Sequence, residues 1–266
     1  MLRRCNGRLE NRPARPPSKA SFVPFFLPCD PVPGHVNVVW FKRDLRSSDH
    51  APLADAIAQG RLLPLYVVEP ELWQQPDSSG RQWRFARESL VDLDRQLAAL
   101  GQGLVVRIGD VVEILDALHR ANRITALWSH EETGNDWSYR RDRRVRAWCR
   151  QEGIHWHEYA QTGVLRPHRR RQGWAGQWSR RMSAPLVHPP SRLEPVHGID
   201  SCRLPRIRDL GLSDDSCPQR QHGGRRHALD TLESFLVERY EPYRRAMSSP
   251  STAAIHCSRL SPHLAF

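Results

Sequence analysis

Apolar positions fall into short unbroken runs, separated by stretches where they recur every third or fourth residue. Val36–Phe41 (VNVVWF) runs straight into Lys42-Arg43-Asp44, which predicts a buried strand ending at a charged turn. The helix after it is predicted to begin near Asp49 as N-cap and to carry Leu53, Ala54, Ile57 and Ala58 on one face. The alternation continues with a strand over Leu62–Val68 and a long helix over Gly80–Leu100, with Trp83, Phe85, Leu90, Leu93, Leu97 and Leu100 at helical spacing. Strands at Leu104–Ile108, Ile124–Trp128 and Ile154–Tyr159 then flank helices at Val111–His119 and Ser138–Gln151. This order predicts an α/β domain over 36–160, a five-stranded, doubly wound, Rossmann-like parallel sheet with right-handed crossovers.

Either side of that block the pattern changes. Residues 1–35 show no periodicity and read as a disordered leader, or as sequence prepended by an upstream start codon. The Phe22–Leu27 patch is broken by Pro24 and is too short for a signal-peptide core. Residues 161–225 read as a linker wrapping over the first domain, with a basic run at Arg166–Gln172 and a short helix at Trp174–Met182. From 226 to 266 a helical period returns, with Leu229, Leu232, Phe235 and Leu236 on one face and an expected end near Tyr240-Glu241-Pro242.

Composition narrows the class. At 266 residues and 39% hydrophobic, the chain can bury a real core. No run of eighteen apolar residues predicts a membrane helix. Forty Lys+Arg against 29 Asp+Glu, a net charge of +11, favour an anionic partner such as nucleic acid, although an Arg-rich composition also follows from GC-rich coding. Arg140, Arg141, Arg143, Arg144, Arg146 and Arg150 crowd one predicted helix, either to track phosphates or as a solvated basic face packed through Val145 and Trp148. Six scattered cysteines without a Cys-x-x-Cys pair read as free thiols of a reducing cytoplasm. His155 and His157 share a strand face and form a metal pair or ordinary packing. No Gly-x-Gly-x-x-Gly or Walker loop is present, so dinucleotide and ATP sites of those kinds have no support.

The strand-end loop is more specific than its pattern. WFKRDLRSSDHAPL (residues 40–53) resembles the N-terminal signature of the photolyase/cryptochrome flavoproteins, with His50 where that family usually has Asn. RQWRFARESLVDL (81–93) and WSHEETGNDWSYRRDRRVRAW (128–148) are similar to two further family segments in the expected order. YRRAMSSPSTAAIHCSRLSPHLAF (243–266) resembles the opening of the family's FAD-binding domain, with Cys257 replacing the usual Thr.

The resemblance implies an antenna pigment (a folate, a deazaflavin or a second flavin) in the crevice at the strand ends, contacted by Lys42, Arg43, Asp44, Arg46, Glu131, Glu132 and Asn135. The residue chemistry leaves another role open for Glu131 and Glu132, as acids offsetting the dipole of the helix beginning near Asn135. For FAD it implies Tyr240 and Arg244, then Cys257, Ser258, Leu260 and Ser261 around the diphosphate. Intact relatives split pyrimidine dimers in DNA with light. This chain is expected to be a C-terminally truncated, monomeric member without a catalytic residue or metal site of its own, inactive in repair by itself. The alternative is a non-catalytic chromophore- or nucleic-acid-binding module, or a cryptochrome-like photoreceptor remnant.

Overall fold

The computed structural model describes residues 35–161, 164, 172–214 and 217–266. The expected leader up to residue 34, with its Phe22–Leu27 patch, and residues 166–171 of the basic run lie outside the described residues. The strands are β1 (Val36–Phe41), β2 (Leu62–Val68), β3 (Val105–Ile108), β4 (Ile124–His130) and β5 (His155–Tyr159). They form one parallel sheet in the order β3-β2-β1-β4-β5. Five helices accompany it: α1 (Ala51–Ala58), the four-residue α2 (Pro70–Trp73), α3 (Gly80–Ala99), α4 (Val111–Asn122) and α5 (Asp136–Gln151). The doubly wound parallel sheet is the fold the alternating pattern predicts.

The solid apolar runs have a direct cause, since both faces of the sheet are covered. Val39 and Phe41 of β1 pack with Leu53, Trp83, Leu90 and Leu97 on one side. Val38 and Trp40 pack with Leu115, Val145 and Trp148 on the other. Pro64 is tolerated inside β2 because β2 pairs with β3 only from Leu65 onward, so at Pro64 β1 is its paired neighbour. On the β5 edge, His157 stacks on Trp128 with centroids 3.7 Å apart, and burial and then His155 push its pKa down to about 4.

Two boundaries, and the faces of the same two helices, differ from expectation. α1 is capped by His50, not Asp49: Asp49 takes a left-handed φ of +52°, and His50 Nδ1 accepts the Leu53 N–H at 3.0 Å. α1 buries Pro52, Leu53 and Ala56, while Ala58 is exposed. The helix from Arg225 does not stop at Pro242. It runs through α7 (Arg225–Ser234) and a π-helical turn over Phe235–Arg239 into α8 (Tyr240–Ala246), where Pro242 sits in a first turn that requires no amide donor of it. Of its expected apolar face, Leu229, Leu232 and Leu236 are exposed.

Between β5 and α7 lie α6 (Trp174–Met182) and a strap that recrosses the sheet domain. The Leu193 N–H donates to the Leu100 carbonyl, the Cys202 N–H to the Val106 carbonyl, and the Trp83 indole to the Pro205 carbonyl. The strap ends on α3. Glu88 accepts from Arg220 and the Gly223 N–H, Ser89 from the Gly224 N–H, and Asp92 from the Arg225 N–H. Burial pushes the Glu88 pKa up, but Arg220 and the Gly223 amide outweigh it and hold it at about 2. α7 has no side-chain cap of its own, and α3 supplies the acceptors instead. Beyond α8 come α9 (Pro250–His256) and α10 (Ser261–Ala265).

A Cβ at Gly223 would lie 2.1 Å from the Phe85 carbonyl oxygen and 2.5 Å from Ser89 Oγ. Gly223→Ala is therefore expected to destabilise the protein by about 1–3 kcal/mol, read as a lowered urea midpoint. Gly176→Ala, whose Cβ meets nothing within 4 Å on α6, is the control and should not lower it.

Candidate functional site

At the carboxyl ends of β1 and β2, beside the reversal of strand order between β1 and β4, the chain leaves a crevice of about 120 Å³. Its walls are aromatic: Trp40, Phe41, Tyr66, Trp73 and Phe266. Its polar lining includes Lys42, Arg43, Glu69, Glu132, Asn135 and Arg141. Phe266 closes one side, 5.7 Å from the Phe85 ring and 5.9 Å from the Arg43 guanidinium carbon.

The floor is a buried ion network. Arg141 enters from α5 with its side chain 2% exposed and donates to Glu69 at 2.8 Å, Glu132 at 2.5 Å and Asp142 at 2.8 Å. Its guanidinium carbon lies 4.8 Å from the Trp40 ring centroid. Burial works to lower the pKa of Arg141, but Glu132, Glu69 and Asp142 raise it further, so it stays charged. Lys42 Nζ, buried, faces Asp142 Oδ2 at 3.5 Å and sits 4.6 Å over Trp40; burial lowers its pKa despite the acids around it. For Glu132, burial raises the pKa but Arg141, Lys42 and Arg43 outweigh it, and the carboxylate stays ionised. Glu69 differs: burial dominates and pushes it up to about 7. One of its oxygens accepts from Arg141, and Oε1 has no hydrogen-bond partner.

Behind the floor a second node anchors the loop. Asp44 Oδ2 accepts from His50 Nε2 and His130 Nδ1, each at 2.7 Å, and Oδ1 accepts the Lys42 N–H at 2.8 Å. Burial pushes the Asp44 pKa up, yet the two histidine bonds pull it well below the usual range. Because His50 Nδ1 caps α1 as an acceptor, His50 is neutral with its proton on Nε2; burial lowers its pKa in agreement. Asp44, His50 and His130 are near enough to share a metal ion, but each contact already has hydrogen-bond geometry.

Of the residues expected around a pigment, Lys42, Arg43, Glu132 and Asn135 line the crevice, whereas Asp44, Arg46 and Glu131 do not. Asp44 is the anchor just described. Arg46 donates to the Asp49 carbonyl, and the Glu131 N–H donates to the Tyr159 carbonyl. The N-cap of α5 is Asn135 itself, which also bonds Asp77; Glu132 serves Arg141 and Arg43. Of the crowded α5 arginines, Arg141 turns inward, while Arg140, Arg144 and Arg146 pair with Asp136, Asp110 and Glu158. Sequence patterning did not single out Glu69, His50 or His130 as site residues. The available signals were the His at an Asn position and a Glu closing an otherwise apolar strand.

The residues expected to hold FAD are not gathered around one cavity among the described residues. Tyr240 is exposed, and Arg244 lines an open groove with Glu241, Arg245, Thr252 and His256. Ser258 Oγ accepts the Leu260 N–H, and Cys257 offers its carbonyl to the buried Arg239, which also holds Ser234. Ser261 opens a helix of only five residues.

Arg141→Met leaves Glu69, Glu132 and Asp142 buried without their shared partner and is expected to cost about 3–5 kcal/mol of stability, measured by urea unfolding. Glu69 sets a pH dependence. Its carboxyl rises from an ordinary 4.5 to about 7 on folding, so between those values the folded chain holds a proton the unfolded chain has released. Stability should therefore fall as pH rises through that window, and Glu69→Gln should flatten the slope of urea midpoint against pH.

Comparison with known proteins bears on the fold and the family. The family model described as DNA photolyase matches residues 37–175, just over half of the 266-residue chain. Cryptochrome DASH of Gloeobacter violaceus is 28% identical over 241 residues, covering 79% of this chain and 47% of that protein. Cryptochrome-1 of Arabidopsis thaliana is 28% identical over 258 residues, covering 88% of this chain and 36% of that protein. In fold, the chain is similar to the class III photolyase of Agrobacterium tumefaciens, with a TM-score of 0.67 at 21% identity over 89% of this chain and 51% of that one. The archaeal photolyase of Sulfolobus tokodaii, described with two FAD molecules and a novel light-harvesting cofactor, gives 0.66 at 22% identity over 86% and 51%. The chain thus spans about half the length of the cryptochrome DASH and the photolyases it matches. On the family match over 37–175 and the sheet that carries it, the chain belongs to the DNA photolyase family, which includes the cryptochromes.

Proposed function

We propose that the crevice is a light-harvesting pigment site, and that this chain supplies the antenna part of a photolyase- or cryptochrome-type flavoprotein. The observation that carries the reading is the pairing of aromatic walls with a buried carboxyl oxygen that has no hydrogen-bond partner, Glu69 Oε1. A carboxyl oxygen hidden from water calls for a polar partner, and a planar heteroaromatic ring with N–H and C=O groups on its edge offers one to either protonation state of Glu69 while its faces meet Trp40, Tyr66 and Trp73. A folate, a deazaflavin and a flavin all have that form. When bound, such a pigment absorbs light of longer wavelength than the protein's own aromatics. The chain's residues do the rest: Arg43 and Asn135 stand at the rim, Glu132 holds Arg43, and the Arg141 network keeps the floor rigid.

As it stands, the crevice is too small for a tricyclic ring, so Phe266 must swing out. Tyr240, Arg244, Cys257, Ser258, Leu260 and Ser261 share no cavity among the described residues, so FAD is proposed only for a protein of the relatives' full length. The same holds for light-driven repair of pyrimidine dimers in DNA and for photoreceptor signalling. The antenna module of such a protein would be this chain.

Reconstitution tests the reading. FMN, a deazaflavin and a folate are each mixed with the full chain, and unbound pigment is removed. Retention of a visible or near-ultraviolet absorption band by the wild type is expected, with more pigment retained by Phe266→Ala. If neither protein retains any of the three pigments, the reading fails.

A further inference from the structure

Away from the crevice, the outer edge of the sheet carries a second group of ligating side chains. His155 and His157 stand two residues apart on β5, so both project from one face of the sheet. Strand β5 ends the sheet, and on it His155 is exposed and His157 half-buried. Their rings lie 4.1 Å apart at 66°. Tyr159, next along the same face, donates to Asp55 of α1 at 2.6 Å and so holds a carboxylate beside the pair. None of these residues lines the crevice, which makes the group independent of the pigment site.

Folding uses the faces of these rings and leaves their nitrogens idle. Among the described residues, neither histidine has a hydrogen-bond partner for its imidazole, whereas His50 and His130 are both bonded to Asp44. His157 stacks on Trp128 with the planes 10° apart. A metal ion approaches an imidazole in the plane of the ring, so the stack fixes the orientation of His157 without covering its ligating edge. A ligating imidazole must be neutral, and His157, held down to about 4 by burial and then by His155, is neutral at pH 7. The Asp55 charge acts on His157 in the opposite sense and favours a cation there. Two imidazoles this close repel each other as imidazolium ions, but as neutral bases they can share one cation. Nitrogen donors select nickel, copper or zinc, since calcium and magnesium take oxygen.

We propose that His155 and His157 chelate a divalent transition-metal ion of the nickel, copper and zinc group, with water in its remaining positions. The pairing requires no pigment, flavin or DNA.

Calorimetric titration of the full chain with Ni²⁺ in a non-coordinating buffer tests this. The wild type is expected to bind one ion that Mg²⁺ in excess does not displace. H155N leaves a single imidazole and should weaken that binding by about 100-fold, because the second ligand no longer closes the chelate. The side chain of His155 is exposed and its one ring contact is with His157, so the metal-free Tm of H155N should match the wild type. That match separates a lost ligand from a lost fold. With Cu²⁺ in place of Ni²⁺, the electron paramagnetic resonance spectrum of the wild type should show coupling to two nitrogens, a pattern absent from H155N. Unchanged Ni²⁺ affinity in H155N overturns the proposal, as does failure of the wild type to bind Ni²⁺ or displacement of the ion by Mg²⁺.

Discussion

The sheet end depends on one buried cation. Arg141 reaches from α5 to the ends of β2 and β4 and bonds one oxygen each of Glu69, Glu132 and Asp142 at once. In a low-dielectric interior each carboxylate alone would be costly, and a lysine, with one compact charge, could not reach the three in a planar fork. The arginine therefore sets the spacing of the loops that follow two strands. Trp40 lies close enough beside it for the guanidinium to sit near the ring, so the aromatic floor and the ion network are held by the same contact.

A second node, Asp44 with His50 and His130, performs the same task one layer back. It joins the first loop to the end of β4, and through His50 it also starts α1. The two clusters divide the labour between them. One is closed on itself and fixes backbone; the other retains an unpaired carboxyl oxygen, Glu69 Oε1, beside the crevice. Folding gains nothing from an unpaired buried oxygen.

The strap, described over 183–214 and 217–224, shows how the sheet domain and the helices beyond it are connected. Its contacts with α3 end in Glu88, Ser89 and Asp92, which supply the N-terminal acceptors that α7 lacks. The Arg-Glu-Ser-Leu stretch, picked out in the sequence for its family likeness, thereby acquires a physical role: it is the socket for Gly223 and Gly224.

The sequence by itself determined the sheet, because strands covered on both faces must be apolar throughout and helices covered on one must repeat near 3.6 residues. Each strand and helix of 36–160 was readable apart from the four-residue α2, and boundaries moved only by a few residues, as where β4 runs on to His130. The family was readable from short motifs. What the tertiary structure alone decided was which charges meet. Lys42, Glu132 and Asn135 face the crevice while Asp44, Arg46 and Glu131 turn elsewhere, because that choice depends on partners as distant in sequence as Glu69 and Arg141. Likewise, the sequence predicted a short helix over Trp174–Met182, but only the fold shows that its Trp174, Trp178 and Met182 stay exposed. Local periodicity records burial, whereas the pairing of charges is settled by long-range contacts that leave no repeat in the chain.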